Sequence, residues 1–217
     1  FFTDRPTGPR FADALPPELA EQIVLRGARA GGHVFDPMAG SGTILDAARR
    51  LGRSAEGADL IDPPVVPGLA VGDARSARPA QPADLVVLHP PVPLETVYSE
   101  RYGARRQGGD LSGMDEAGYR KGLGELIAHA ATLLRPGATL ALVLRESRRN
   151  GRLHDWPGEG AALAAEHGFA LIEKMHAPMP LAERSERAAR EGYGAKLRGA
   201  LVGSVWTVLW LRREGGR

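Results

Sequence analysis

A chain of 217 residues with 43% hydrophobic and 25% charged residues is long enough to bury one full core, and its composition is that of an ordinary globular domain. It has no apolar run of 18 or more residues, so no membrane span is expected. It has no cysteine, which excludes disulfides and thiolate metal sites and fits a cytoplasmic protein. Formal net charge is only +2, yet arginine supplies 25 of the 28 basic residues. Guanidinium forks suit bidentate contact with phosphates and base edges, although the same excess follows from a GC-rich genome.

The first predicted element is a helix over residues 15–31, LPPELAEQIVLRGARAG, with Pro near its start, apolar Leu19, Ile23 and Val24, and Gly31 to stop it. Nothing before it reads as a signal peptide; the chain opens FFTDRPTGPR, without Met. Residues 33–38, HVFDPM, predict a short strand, and 39–52, AGSGTILDAARRLG, a glycine turn feeding a helix. Strands follow over 54–61, within 67–74, and over 83–89, ADLVVLH, the most apolar of them. The segment 97–118 is rich in Gly and Arg and poor in apolar residues, which predicts a mobile loop. An amphipathic helix over 119–137 with a Pro-Gly stop then leads to a buried strand over 138–146. A helix over 157–168, a strand over 169–177, a charged and partly helical stretch over 180–199 and a closing strand over 200–210 complete the chain.

Strands alternating with helices predict an α/β fold: a Rossmann-like, mostly parallel seven-stranded sheet with helices on both faces. The last two strands lack a long apolar helix between them, which predicts an antiparallel pair at one edge. No repeat and no dividing linker is present, so residues 1–217 read as one domain with insertions at 93–118 and 178–199.

Three acids and a glycine turn fall at successive strand ends. DPMAGSGT, residues 36–43, puts Gly40 and Gly42 in the first β-to-α turn, where backbone can approach a ligand and the helix N-terminus offers N–H donors. No Lys-Ser/Thr follows, which excludes a P-loop, and the dinucleotide GxGxxG spacing is also absent. Asp59 closes the second strand, where an acid can accept from ribose hydroxyls. Asp62 competes for this role, and Asp59 is preferred because GADL keeps it at the strand tip. Asp73, in VGDA, can accept from an adenine amine. Each acid alone reads first as a solvated loop residue; together with the glycine turn they describe a nucleoside site. The fourth strand ends in His89-Pro90-Pro91-Val92, and neither proline has an N–H for a sheet ladder.

In this order, DPMAGSGT, GADL, VGDA and HPPV make the chain resemble the S-adenosylmethionine-dependent amino-methyltransferases of DNA, over roughly residues 10 to 145. The upstream RFADALPPELAEQIV resembles that family's cofactor-flanking helix. The resemblance implies S-adenosylmethionine as cofactor, with S-adenosylhomocysteine as product and no metal. It implies that Asp36, Met38, Ala39, Gly40, Ser41, Gly42, Thr43, Asp59, Leu60, Asp73 and Ala74 hold the cofactor. It implies further that His89, Pro90, Pro91 and Val92 act on an exocyclic base amine. In that family the first side chain of the tetrapeptide and the carbonyl after it accept both amine hydrogens, aiming the nitrogen lone pair at the methyl group. The aromatic in fourth place stacks on the flipped base.

This sequence departs from the pattern twice. His89 replaces the usual acceptor, and only a neutral imidazole can accept. Val92 replaces the aromatic, forfeiting stacking on the order of 1–3 kcal/mol; Tyr98 and Tyr102 are candidate replacements. Arg101, Arg105 and Arg106, with Arg187 and Arg190, are the expected phosphate contacts. The second group interleaves with Glu183, Glu186 and Glu191, as an exposed helix with i,i+4 pairs also would. DNA is the expected partner, with RNA the alternative and a homodimer or a specificity partner allowed. Two other functions compete: an RNA guanine-amine methyltransferase, and a catalytically silent relative that binds nucleic acid or a partner enzyme.

Overall fold

The computed structural model describes residues 14–61, 66, 69–93, 109–149, 152–178 and 205–214. The elements in chain order are α1 (Pro17–Gly27), β1 (His33–Asp36), α2 (Thr43–Arg50), β2 (Ser54–Asp59), β3 (Ala70–Val71) and β4 (Ala83–Leu88). They continue with a 3-10 turn (Leu111–Gly113), α3 (Glu116–Leu133), β5 (Leu134–Leu144), β6 (Ser147–Arg149), β7 (Arg152–His154), α4 (Trp156–Glu166), β8 (Phe169–Pro178) and β9 (Val205–Arg213).

Among the described residues, seven strands form one sheet in the order β3-β2-β1-β4-β5-β9-β8. β1, β2, β3, β4 and β5 run parallel, whereas β9 is antiparallel to both β5 and β8. This is the predicted Rossmann-like sheet with its reversed edge. Period-two alternation sorts the strand side chains onto two faces. Val34, Leu85, Val87, Ala141 and Val143 join Leu19, Ile23 and Val24 of α1 and Ile44 of α2 on one face. Phe35, Val86, Leu88, Leu140 and Leu142 join Tyr119, Leu123 and Ile127 of α3 and Leu163 of α4 on the other.

Several predicted boundaries shift, each for a local reason. The loop expected over 97–118 is structured over its described end. Asp110 accepts from the Ser112 amide to start the 3-10 turn, and Asp115 accepts from the Gly118 amide to cap α3. Leu111 and Ser112 are buried there. The helix therefore begins at Glu116 and ends at Leu133, and the Pro-Gly pair does not separate it from a strand. Leu134 already pairs with Ala83, and Pro136 and Gly137 lie in an irregularity before Leu85 meets Thr139. The β6–β7 hairpin has no counterpart in the sequence expectation, because its strands are too short to show a period. The partly helical stretch expected over 180–199 lies outside the described residues.

Candidate active site

A cleft opens at the carboxyl ends of β1 and β4, where the strand order reverses and successive crossovers leave for opposite faces of the sheet. Asp36, Met38, Ala39, Gly40, Ser41, Thr43, Asp59, Leu60, Asp73, Ala74, His89, Pro90, Pro91 and Val92 all line it. Gly42 is the one expected cofactor residue outside the lining; it caps α2 in the left-handed conformation instead.

The floor of the cleft is built from the end of β1. Pro37 cannot donate to a ladder, so the strand stops at Asp36. The chain then turns tightly, with the Gly42 amide donating to the Ala39 carbonyl at 2.7 Å. Gly40 and Gly42 have φ of 52° and 79°, a region that favours glycine. The turn is held from the neighbouring strand: Asp59 Oδ2 accepts from the Gly40 amide at 2.8 Å and Oδ1 from the Ile61 amide at 2.9 Å. Burial pushes the Asp59 carboxyl upward, opposed by the backbone donors of Ile61, Gly40 and Leu60. Asp36 Oδ1 accepts from the Met38 amide at 3.0 Å. Complete burial pushes Asp36 up to about 7; the Met38 donor opposes this, and the Asp59 charge adds to it.

Asp73 stands on the side wall in different company. Its Oδ1 accepts from the Arg75 amide at 2.9 Å and from Arg75 Nε at 3.0 Å, and its Oδ2 accepts from Nη2 at 2.6 Å. The Arg75 side chain holds this carboxyl below the usual carboxylate range, against partial burial. Arg75 continues to Glu125 at 3.2 Å. Three acceptor positions of Asp73 are thus engaged within the chain, whereas the sequence suggested an acid open to an amine.

His89 is the first residue past β4 and reaches the cleft with Pro90 and Pro91 behind it. Val92 is a buried part of the wall. Leu15, Ile44, Leu60, Ala74, Leu126 and Val143 add apolar lining. The sequence reading missed Arg75, Asp110 and Arg145, which line the same cleft. Asp110 and Arg145 are buried. The signals existed: Asp110 precedes Ser112 at capping distance, and Arg145 is a charge that closes an apolar strand. Arg101, Arg105, Arg106, Arg187 and Arg190, like Tyr98, Tyr102 and Asp62, lie outside the described residues.

Comparison with known proteins finds a family match over part of the chain and fold matches over most of it. A family model described as DNA methylase matches residues 4–63, which include α1, the glycine turn and Asp59. Over that segment the resemblance to DNA methylases is shown. No curated protein matches significantly. Solved structures match the fold over nearly the whole chain. TrmN from Thermus thermophilus is 21% identical with a TM-score of 0.56, covering 94% of this chain. This chain spans only half the length of that one, 50%. A TehB-like SAM-dependent methyltransferase from Corynebacterium glutamicum is 17% identical with a TM-score of 0.53, covering 90% of this chain and 87% of that one. The 1,6-didemethyltoxoflavin-N1-methyltransferase of Burkholderia thailandensis, with S-adenosylhomocysteine bound, is 15% identical with a TM-score of 0.54. It covers 92% of this chain and 78% of that one. At these identities the likeness is one of fold, the Rossmann-like methyltransferase fold.

Proposed function

We propose that the chain is one S-adenosylmethionine-dependent methyltransferase domain that methylates an exocyclic amine of a DNA base, adenine or cytosine. One observation carries this reading: the glycine turn, Asp59, Asp73 and His89-Pro90-Pro91 face a single cleft at the sheet's reversal point. The residues fit a nucleoside joined to a charged amino acid. All line the cleft: Leu60, Ala74 and Ile44 would offer apolar surface to a base, Asp59 would accept from ribose hydroxyls, and buried Asp36 would offset a cationic end. S-adenosylmethionine held there supplies the methyl group and leaves as S-adenosylhomocysteine.

The chain's own part is positioning. A base amine is a poor nucleophile because its lone pair is delocalised into the ring. The His89 imidazole and the carbonyl of Pro90 accept its two hydrogens, draw the nitrogen toward sp³, and aim the lone pair at the methyl carbon. With S-adenosylmethionine bound, that lone pair would take the methyl group while the carbon–sulfur electron pair stays on sulfur, and the amine proton would pass to the His89 nitrogen that already accepts it. The prolines keep the carbonyl in place, because their φ is fixed. Val92 covers the base by dispersion contact alone. The DNA methylase match over residues 4–63 supports a nucleic-acid substrate. The insertions at 93–118 and 178–199, with their arginines, are assigned to phosphate contact.

The test is transfer of labelled methyl from S-adenosylmethionine to duplex DNA, single-stranded DNA and bulk RNA. The expected result is label in DNA that nucleoside digestion traces to methyladenine or methylcytosine. Label confined to RNA guanine would replace this reading with the guanine-amine alternative. Cofactor binding without label in any substrate would favour a silent subunit, which the His89 and Val92 departures motivate.

A further inference from the structure

β5 ends at Leu144, and Arg145 after it lines the cleft. Two residues further on, β6 and β7 fold back on each other as a short antiparallel hairpin, Ser147–Arg149 against Arg152–His154. Its base is built into the core. Trp156 Nε1 donates to Ser147 Oγ at 3.0 Å, and the His154 ring stacks on Trp156 at 5.7 Å and 11°. His154 Nδ1 also lies 3.2 Å from Glu116, which opens α3, while Trp156 opens α4. The hairpin therefore stands at the carboxyl edge of the sheet, beside the cleft and between the starts of two helices. Between Ser147 and His154 the sequence is Arg148, Arg149, Asn150, Gly151, Arg152 and Leu153, three arginines with no acid. The flanking acids, Glu146 and Asp155, lie outside the paired strands, and Asp155 accepts from the Gly158 amide. The register sets Arg149 directly opposite Arg152, and Arg148 opposite Leu153. Arg152 is exposed, and Leu153 is 46% exposed.

We propose that the β6–β7 hairpin is a DNA-backbone contact, in which Arg149 and Arg152 hold one phosphate beside the cleft. This rests on the reading that the cleft takes a base from DNA. Residues directly opposite on an antiparallel pair share a face with Cβ atoms about 5 Å apart, and like charges there destabilise the pair. By itself, the hairpin gains nothing from two facing arginines. An anion between them reverses the sign, and a phosphodiester has two free oxygens to meet two guanidiniums. Placement decides which anion. A base held at the carboxyl end of β4 keeps its own strand at the same edge of the sheet, so the phosphates of that strand are brought to the hairpin. Arg149 and Arg152 also share a face with Ser147 and His154, so the anchored base of the hairpin fixes where the pair stands. An open, projecting position suits a polyanion that lies along a surface, and not a small ion that must be enclosed.

The experiment measures binding of a short DNA duplex by fluorescence anisotropy across a range of KCl, with saturating S-adenosylhomocysteine. The double variant Arg149→Gln/Arg152→Gln is expected to bind about tenfold more weakly than wild type. Its slope of log affinity against log salt should be shallower by about 0.9, the share of one phosphate. Arg149→Lys/Arg152→Lys should keep the slope and lose part of the affinity, because lysine lacks the fork. Arg29→Gln, at the opposite edge of the sheet where Arg29 meets Asp84 at 3.2 Å, should change neither. Unchanged affinity and slope in the double glutamine variant would overturn the proposal, as would failure of the wild type to bind. So would an equal loss in Arg29→Gln, which would mean that charge acts diffusely, or a loss confined to an RNA duplex of the same sequence. Removing facing like charges should not unfold the chain; if the double variant nevertheless fails to fold, Arg152→Gln alone and the lysine pair decide. The two readings fail separately. Label in DNA with an unchanged salt slope removes the hairpin contact and keeps the methyltransferase, whereas a shallower slope without label in any substrate does the reverse.

Discussion

The carboxylate of Asp59, at the tip of β2, accepts from the amide of Gly40, 19 residues earlier in the chain, at 2.8 Å in a buried setting. The same side chain accepts from the Ile61 amide with its other oxygen at 2.9 Å. One acid thus ties the first glycine turn to the second strand end, so its first task is to shape the cleft. Asp59→Asn would turn an amide NH2 toward one of these two N–H donors. An unsatisfied buried donor costs about 1–3 kcal/mol, a loss that denaturant titration should show. Cofactor affinity should fall with it, since the turn loses its brace. Unchanged stability would mean that another acceptor holds Gly40.

Asp36 makes stability depend on pH in a direction opposite to most acids. Its carboxyl titrates at about 7 in the folded chain against the ordinary 3.8. Between those values the folded state holds a proton that the unfolded chain has lost. The group's stabilising contribution is therefore full below about pH 4 and is lost as pH rises through about 7. Asp36→Asn stays neutral and can still accept from the Met38 amide, so it should lose this slope. Urea titrations from about pH 5 to about pH 8 should show wild type declining by a few kcal/mol relative to the variant. S-adenosylmethionine is a net cation, so binding it beside Asp36 should expel a proton near pH 7. Calorimetry in buffers of different ionisation enthalpy would read that proton, and Asp36→Asn should abolish it.

Gly57 pairs with Asp36, where β1 leads into the turn. A Cβ there would lie 2.9 Å from the Asp36 carbonyl oxygen, 2.9 Å from Leu45 Cδ1 and 3.2 Å from Ala39 Cβ. A flexible leucine tip can move, but a backbone carbonyl in a sheet cannot. Gly57→Ala is expected to destabilise by about 1–3 kcal/mol, which for a chain of this size lowers Tm by about 2–4 °C per kcal/mol. A melting temperature within a degree or so of wild type would contradict this packing.

His89→Ala removes one of the two acceptors assigned to the substrate amine and should lower methyl transfer by about 10²–10³-fold. S-adenosylhomocysteine affinity should stay unchanged. His89→Asn restores a carbonyl acceptor and should recover part of the rate. If both variants transfer methyl as the wild type does, the amine is held elsewhere in the cleft, and buried Asp110 becomes the first alternative.

Much of the architecture was legible because it rests on local signals that repeat. The apolar run of β4 ended by Pro90 and Pro91, the glycine turn after Asp36, and the acids at strand ends each follow from backbone chemistry confined to a few residues. Their order along the chain then implied a parallel sheet and placed its ligand edge. Boundaries set by single side chains were less visible. Asp110 and Asp115 cap elements where Gly and Arg content suggested a loop, because capping depends on one hydrogen bond and not on composition.

The sequence by itself determined the fold class, the position of the glycine turn and the residues that gather at the sheet's reversal point, since periodicity and turn chemistry are properties of neighbours. Only the tertiary structure decided how those groups are engaged. Asp59 faces Gly40 as a brace, Asp73 is engaged by Arg75, and Arg145 shares a cleft with His89. The first and last of these join residues at different strand ends, whereas Asp73 and Arg75 are two residues apart and are tied across the fold through Glu125; what a carboxylate or guanidinium does depends on which donors and acceptors the fold brings to it. Burial acts in the same way: Asp36, the last residue of β1, and Asp73, two residues past β3, are the same residue type. The interior raises one to about 7, while an arginine holds the other below the usual range.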